Sequence, residues 1–453
     1  MNPGRLGALL PVAGAYWLGA ALARTLLLQA PRRIAVDLAQ PMVVVTSWGA
    51  YGGEAFAILA ATVALATLSL IVAARRLARD AVPGDVAAIA LVAALGVAGA
   101  YAWPFVFSSD AYAYAAYGAM ANDGLDPYAP LPASAHSALY DATRWQWGGA
   151  YPACVYGPAF VGIAAALGRA TSAHGVTATL WAFRLLAGLA FVAGIPLLGA
   201  ALAAWSAARR FTALCAYALN PVSLWSVAEG HNDALLMLLV MTAGAVAVRR
   251  PPLGAFLIGL SPLLKAPGAA LALGAALESW LGRRPERSSI VACVLAGLAL
   301  AAAVTLPPLG PVLAAAGAHG RYAPEISIQG LLGPLPALGL AALAAAYGSA
   351  RLAARDRGGL AWIGIALLMA LPNAYPWYAL WLVPWCLGAG DTGASRALWA
   401  ATIFSVSRYL PDAWGTLSPD GARLAAGAAA LPLLWAATDL RRTAFDRKKA
   451  TQP

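Results

Sequence analysis

GGEAFAILAATVALATLSLIVAARR, residues 52–76, decides the fold class. From Phe56 to Ala74 it holds no charge and no proline, and it closes on Arg75 and Arg76. A helix rising ~1.5 Å per residue needs about 20 apolar residues to cross a bilayer core. This run has that length. A buried helix of a soluble protein is the other reading, but the chain leaves no room for one. Of 453 residues, 61% are hydrophobic and 11% charged, where soluble domains carry about 25% charged residues. Long apolar stretches recur from the first residues to about Leu440. The alternation of a barrel strand is absent, so helices are the spanning form that satisfies the backbone. The expectation is an all-α polytopic membrane protein, a single integral membrane domain over residues 1–453 with about 13–14 transmembrane helices.

The net charge of +11 would suggest nucleic acid in a soluble protein. Here the arginines cluster in short loops between apolar runs: Arg75, Arg76 and Arg79; Arg209 and Arg210; Arg249 and Arg250; Arg283, Arg284 and Arg287; Arg351, Arg355 and Arg357. That is the pattern of cytoplasmic loops, and it leaves no basic domain for nucleic acid. Both termini are then expected in the cytoplasm, with 441–453 a basic cytoplasmic tail; Arg32 and Arg33 do not fit this orientation. The first apolar run, Leu6 to Leu28, is longer than a signal-peptide core and reads as a retained span. Cys154, Cys215, Cys293 and Cys386 form no CxxC pair, and no metal, cofactor or disulfide framework is expected.

Two segments depart from simple spanning. Residues 156–170 are short and flanked by Gly and Pro, which suggests a re-entrant or interfacial helix; a crossing there would put Arg209 and Arg210 outside. In 252–281, Pro262, Lys265 and Pro267 interrupt one apolar stretch. Two half-helices meeting near Lys265 would line a polar cavity. A single kinked helix with a snorkelling lysine is the plainer alternative.

The largest non-spanning stretch, 108–155, reads as an extracytoplasmic loop carrying short interfacial helices. It begins Ser108-Ser109-Asp110-Ala-Tyr112-Ala-Tyr114-Ala-Ala-Tyr117-Gly118 and continues to Asp126-Pro127-Tyr128. Helical spacing puts Asp110, Tyr114 and Tyr117 on one face. Rings that cover a sugar and a carboxylate that reaches a hydroxyl suit glycosyl transfer; a helix cap within an interfacial aromatic belt is the bland reading. Glu229-Gly-His231-Asn232-Asp233 sets polar residues between two apolar runs, where they are costly unless they cap a helix or carry function. Lys265 is the one lysine before the tail and a candidate for an anion such as phosphate, with Arg408 a candidate helper. Tyr156-Gly-Pro158 and Tyr375-Pro-Trp377-Tyr378 add aromatics at expected outer boundaries.

In this order the motifs resemble the bacterial polyprenyl-phosphate-mannose-dependent α-mannosyltransferases of the GT-C membrane glycosyltransferase superfamily. The likeness runs from Asp110-Ala-Tyr112-Ala-Tyr114 and Gly124-Leu-Asp126-Pro-Tyr128 through Tyr156-Gly-Pro158, Gly230-His231-Asn232-Asp233 and Lys265-Ala-Pro267 to Tyr375-Pro-Trp377-Tyr378, about residues 100–390. The loop around Trp145–Gly149 departs from the family's form.

The resemblance implies a GT-C-like bundle, an enzyme of the plasma (inner) membrane, and an active site facing the periplasm or cell exterior. Asp110 would be the base for an inverting transfer from a polyprenyl-phosphate sugar to a glycan or glycolipid acceptor. Lys265 and Arg408 would hold the leaving phosphate. Tyr112, Tyr114, Tyr117, Asp126, Tyr128, Tyr156, His231, Asn232, Asp233, Tyr375, Trp377 and Tyr378 would line the substrates. The rival class, a transporter or flippase of lipid-linked sugars, explains the spans and the broken helix. It does not explain the acidic aromatic loop, and the internal repeat common in transporters is not seen.

Overall fold

The computed structural model describes residues 3–29, 43–44, 52–82, 84–146, 153–305, 310, 326–410 and 419–440. Arg32, Arg33, residues 147–152 and the basic tail 441–453 lie outside them. The described chain is helical, apart from the two-residue strands β1 (Val43–Val44) and β2 (Phe105–Val106), paired in parallel with Val43 opposite Phe105. It is an all-α polytopic membrane protein.

The residues divide into two compact units. The first comprises those within Met1–Leu273 and Ala292–Tyr322, the second those within Gly274–Val291, Ala323–Pro411 and Thr416–Pro453. In chain order the first contains α1 (Pro3–Gln29), α2 (Gly52–Leu77), α3 (Asp85–Tyr101), α4 (Asp110–Asn122), α5 (Ala138–Gln146), α6 (Pro158–Thr171), α7 (Gly175–Ala201), α8 (Ala207–Ala218), α9 (Pro221–Ala228), α10 (Asp233–Ala247) and α11 (Pro251–Gly259). Then come α12 (Pro267–Leu281) and α13 (Arg287–Thr305). The second unit holds α14 (Ile328–Leu332), α15 (Pro334–Ala353), α16 (Gly359–Ala370), α17 (Ala379–Ala389), α18 (Gly393–Phe404) and α19 (Pro419–Ala430).

Among the described residues, five helical stretches are long and apolar enough to cross a membrane: Pro3–Leu26, Gly52–Leu77, Pro158–Ala201, Arg287–Thr305 and Pro334–Ala353. Leucines on them face outward, with Leu68 61%, Leu189 70% and Leu335 83% exposed, a surface that belongs in lipid. The larger number of spans expected from hydropathy is not matched by equally many long helices, because several apolar runs are broken. The run 211–228 is one of these. Asn220-Pro221 divides it into α8 and α9, bent by 42°. Pro221 starts α9 where no amide hydrogen is needed, and the Asn220 side chain caps it by accepting from the Val222 and Ser223 amides at 3.0 and 3.3 Å.

The stretch 252–281 is likewise broken. α11 ends at Gly259, a short 3₁₀ turn covers Ser261–Leu263, and α12 restarts at Pro267. This break is locked to the start of α6. The Gly157 amide donates to the Leu264 carbonyl at 3.2 Å, and a side chain at Gly157 would collide with the Pro262 and Leu263 carbonyls. Overpacking of this kind costs about 1–3 kcal/mol. Gly157→Ala is therefore expected to unfold earlier in a thermal scan in detergent. A wild-type midpoint would mean that the two segments do not meet so closely.

Candidate functional site

β2 delivers the chain to α4, whose first residue is Asp110. α4 is buried almost all round: Ala111 to Gly118 and Met120 are all inaccessible. It packs on α6, with α5 laid across it. The alanines allow this close packing, and the tyrosines between them supply a polar tip to each large ring. At 100° per residue, Asp110, Tyr114 and Tyr117 line one face, while Tyr112 points about 200° away from Asp110.

The Asp110 carboxylate is 16% exposed and does not cap its own helix. Oδ2 accepts from the Tyr114 hydroxyl at 3.1 Å and lies 3.3 Å from Nδ1 of His231. Among the described residues both contacts fall on Oδ2. Burial alone would raise this carboxyl. His231, Lys265 and the Tyr114 hydroxyl outweigh burial and hold it below its ordinary value.

The second half of the site is the turn from α9 to α10. Gly230 sits at φ +91°, backed against the Arg184 main chain, a conformation and a closeness that favour glycine. The turn presents Glu229, His231, Asn232 and Asp233, all buried. Asn232 precedes α10 but makes no capping bond. Its Oδ1 instead lies 3.4 Å from the Tyr114 hydroxyl, and its Nδ2 is a buried donor with no protein partner among the described residues. Asp233 is fully buried, with Oδ2 2.6 Å from Nζ of Lys265.

Lys265 stands in the helix break, ion-paired with Asp233 and 5.4 Å from the centre of the Tyr156 ring. An ammonium has three donors, and this pair uses one. Tyr156 packs edge-on against Tyr114, Phe160 and, more loosely, Tyr117. The region thus gathers Asp110, Tyr114, Tyr117, Tyr156, His231, Asn232, Asp233 and Lys265 in the first unit.

Other candidates have different places. Asp126 is exposed, and its Oδ1 accepts from the Tyr128 amide at 2.9 Å, an Asx-type turn. Tyr128 is buried and donates to the Tyr156 carbonyl at 3.2 Å, while the Cys154 amide reaches the Pro127 carbonyl at 2.9 Å. These groups clasp the segment that carries Tyr156 and are not gathered around Asp110. In the second unit, Tyr375 stacks on Trp377 at 4.4 Å, Tyr378 meets both edge-on, and the Arg408 guanidinium covers Tyr375 at 5.1 Å.

From sequence, Glu229 has no role of its own beyond its polar motif, and Arg184 is not singled out. Glu229 accepts from the Phe107 amide through Oε1 at 2.7 Å, and its Oε2 lies 3.4 Å from Nε2 of His231. Arg184, 3% exposed in the middle of α7, donates to the Ala228 carbonyl at 2.6 Å and lies against the Trp181 and Tyr101 rings. A single arginine in the apolar run 176–205 was the available signal. Three carboxylates (Asp110, Glu229, Asp233) therefore meet three basic groups (Arg184, His231, Lys265). Charges this deep persist only when paired.

Comparison with known proteins covers this region. The family described as "Alpha-(1->6)-mannopyranosyltransferase, N-terminal domain" matches residues 2–282, which include every residue gathered around Asp110. Alpha-(1->6)-mannopyranosyltransferase A of Mycobacterium tuberculosis (strain ATCC 25618 / H37Rv) is 30% identical over 347 residues, or 67% of this chain and 65% of that protein. The chain thus covers just under two thirds of that relative's length. No solved structure matches the chain.

Proposed function

From the premise that the chain belongs to the alpha-(1->6)-mannopyranosyltransferase family, we propose that it is a membrane glycosyltransferase that moves mannose from a polyprenyl-phosphate donor to a hydroxyl of a lipid-linked or cell-envelope glycan. The site would face the extracytoplasmic side of the plasma membrane, as the arginine-rich loops suggest for the opposite face. The α-(1→6) linkage in the relative's name is the first linkage to test.

The observation that carries this reading is the Asp110 carboxylate, 16% exposed and held through Oδ2 beside Tyr114 and His231. The mechanism has one proton to move. Asp110 Oδ1 takes it from the acceptor hydroxyl as that oxygen attacks the anomeric carbon. The bond to the phosphate breaks on the opposite face, so a β-linked donor gives an α-linked product. The leaving phosphate needs no general acid. It needs a cation, for which Lys265 offers its remaining donors. Asn232 Nδ2, buried and without a protein partner among the described residues, is placed to bond a sugar hydroxyl. Tyr114, Tyr117 and Tyr156 supply the rings.

Purified protein given radiolabelled polyprenyl-phosphate mannose and an α-mannoside acceptor should form an α-linked product. Movement of the donor from one leaflet to the other without transfer would favour the flippase reading instead. The acid side of the pH–rate profile is a further check. A carboxyl held below its ordinary value stays ionised as pH falls, so turnover should persist to about pH 4 and disappear only as pH passes through the lowered value. An acid limb near pH ~6 would mean that a different group is the base.

A further inference from the structure

Glu229 has no part in the mechanism above, yet it is 1% exposed and divides its two oxygens between the two supports of Asp110. Oε1 takes the amide of Phe107 at 2.7 Å, three residues before Asp110 in the chain. Oε2 lies 3.4 Å from Nε2 of His231, whose Nδ1 lies 3.3 Å from Oδ2 of Asp110. Glu229 therefore bears on the backbone leading to Asp110 and on the imidazole beside its carboxylate.

We propose that Glu229 is a positioning residue for glycosyl transfer, holding His231 so that the imidazole fixes Asp110 Oδ2 and leaves Oδ1 to the incoming hydroxyl. The proposal rests on the reading of Asp110 as the base. An imidazole that carries its proton is a cation, and here it stands as an ion pair with a carboxylate on each side, at 3.3 and 3.4 Å. It cannot then turn over without disturbing both contacts, which restrains the Asp110 carboxylate with it. The other charged and titratable groups of the cluster are Tyr114 on α4, Arg184 on α7, Asp233 at the start of α10 and Lys265 in the helix break. Arg184 braces the same turn through the Ala228 carbonyl. Asp233 is engaged by Lys265, which leaves Asp110 and Glu229 as the carboxylates on the imidazole.

A purely structural role for Glu229, as the partner of the Phe107 amide, makes a different forecast. Glu229→Gln separates the two. The amide oxygen still accepts from Phe107, while the side facing His231 loses its charge. Protein yield and unfolding midpoint are expected to match wild type. Turnover is expected to fall about 10-fold with donor KM unchanged, or about 1.4 kcal/mol of barrier, as a buried ion-pair contact loses one of its charges. The alkaline limb of the pH–rate profile is expected to move to lower pH, since removing one of its two carboxylates lowers the imidazole's hold on its proton. The double variant Glu229→Gln/His231→Asn should be no slower than His231→Asn alone, because Glu229 acts through the imidazole.

Wild-type turnover and an unmoved alkaline limb in Glu229→Gln, with Asp110→Asn inactive, would overturn the proposal and leave the base assignment standing. An active Asp110→Asn would instead overturn the base assignment and this proposal with it. If Glu229→Gln fails to fold, Glu229→Asp takes its place. It keeps the charge but withdraws it from the imidazole, so turnover should fall and the alkaline limb should move. A wild-type profile in that variant would equally overturn the proposal.

Discussion

Asp110→Asn is expected to lower turnover by about 10²–10⁴-fold, the usual contribution of a general base. At ~1.4 kcal/mol per decade this is about 3–5 kcal/mol of barrier. The amide keeps the shape and can still meet Tyr114 and His231, so folding and donor binding should survive. The competing carboxylates make the test sharp. Asp126 is exposed and closes a turn, so Asp126→Asn should stay within a few-fold of wild type. Asp233 is tied to Lys265, and its loss should show first as instability. Near-normal turnover in Asp110→Asn alongside an inactive, folded Asp126→Asn would show that a different carboxylate does the work.

Lys265→Met is expected to be the most destabilising of the single changes considered. It leaves Asp233, which is 0% exposed, as an unpaired buried charge. Breaking such a pair from one side costs about 3–5 kcal/mol, whereas removing both charges is often close to neutral. Lys265→Met/Asp233→Asn should therefore recover most of the stability lost by the single variant, as read by thermal unfolding in detergent. Recovery of stability without recovery of binding to polyprenyl-phosphate mannose would support Lys265 as the phosphate contact. Normal donor binding in the double variant would reduce the pair to a structural role.

The parts of this architecture that follow local rules were legible in advance. The run 52–76 is one uninterrupted helix because nothing in it opposes helix or lipid. The face shared by Asp110, Tyr114 and Tyr117 follows from helical spacing, and the break near Lys265 follows from Pro262 and Pro267. What local rules do not carry is partnership across the chain. Nothing near residue 265 announces that its ammonium meets Asp233, and nothing near Phe107 announces Glu229. The bland readings also fell unevenly. Asn220 does cap a helix, Asn232 does not, and both stand directly before the first residue of a helix. The difference lies in Tyr114, which comes from elsewhere in the fold to meet Asn232. Hydropathy likewise shows where apolar runs lie but not whether Asn-Pro or Gly-Pro steps divide them into shorter helices.

The bond between Phe107 and Glu229 joins residues 122 positions apart, and Gly157 rests on a segment made about a hundred residues later. At roughly 5–20 residues per second, a ribosome needs about 6–24 s to extend the nascent chain from one end of the Phe107–Glu229 bond to the other. For that interval α4 exists without the turn that holds its carboxylate, and Tyr156 without the helix break beneath it. Completion of the cluster around Asp110 is thus a late event in the biogenesis of the first unit, reached only once residues through Lys265 have been made. A chain arrested before that point would carry Asp110 and its aromatic face without the groups that hold them.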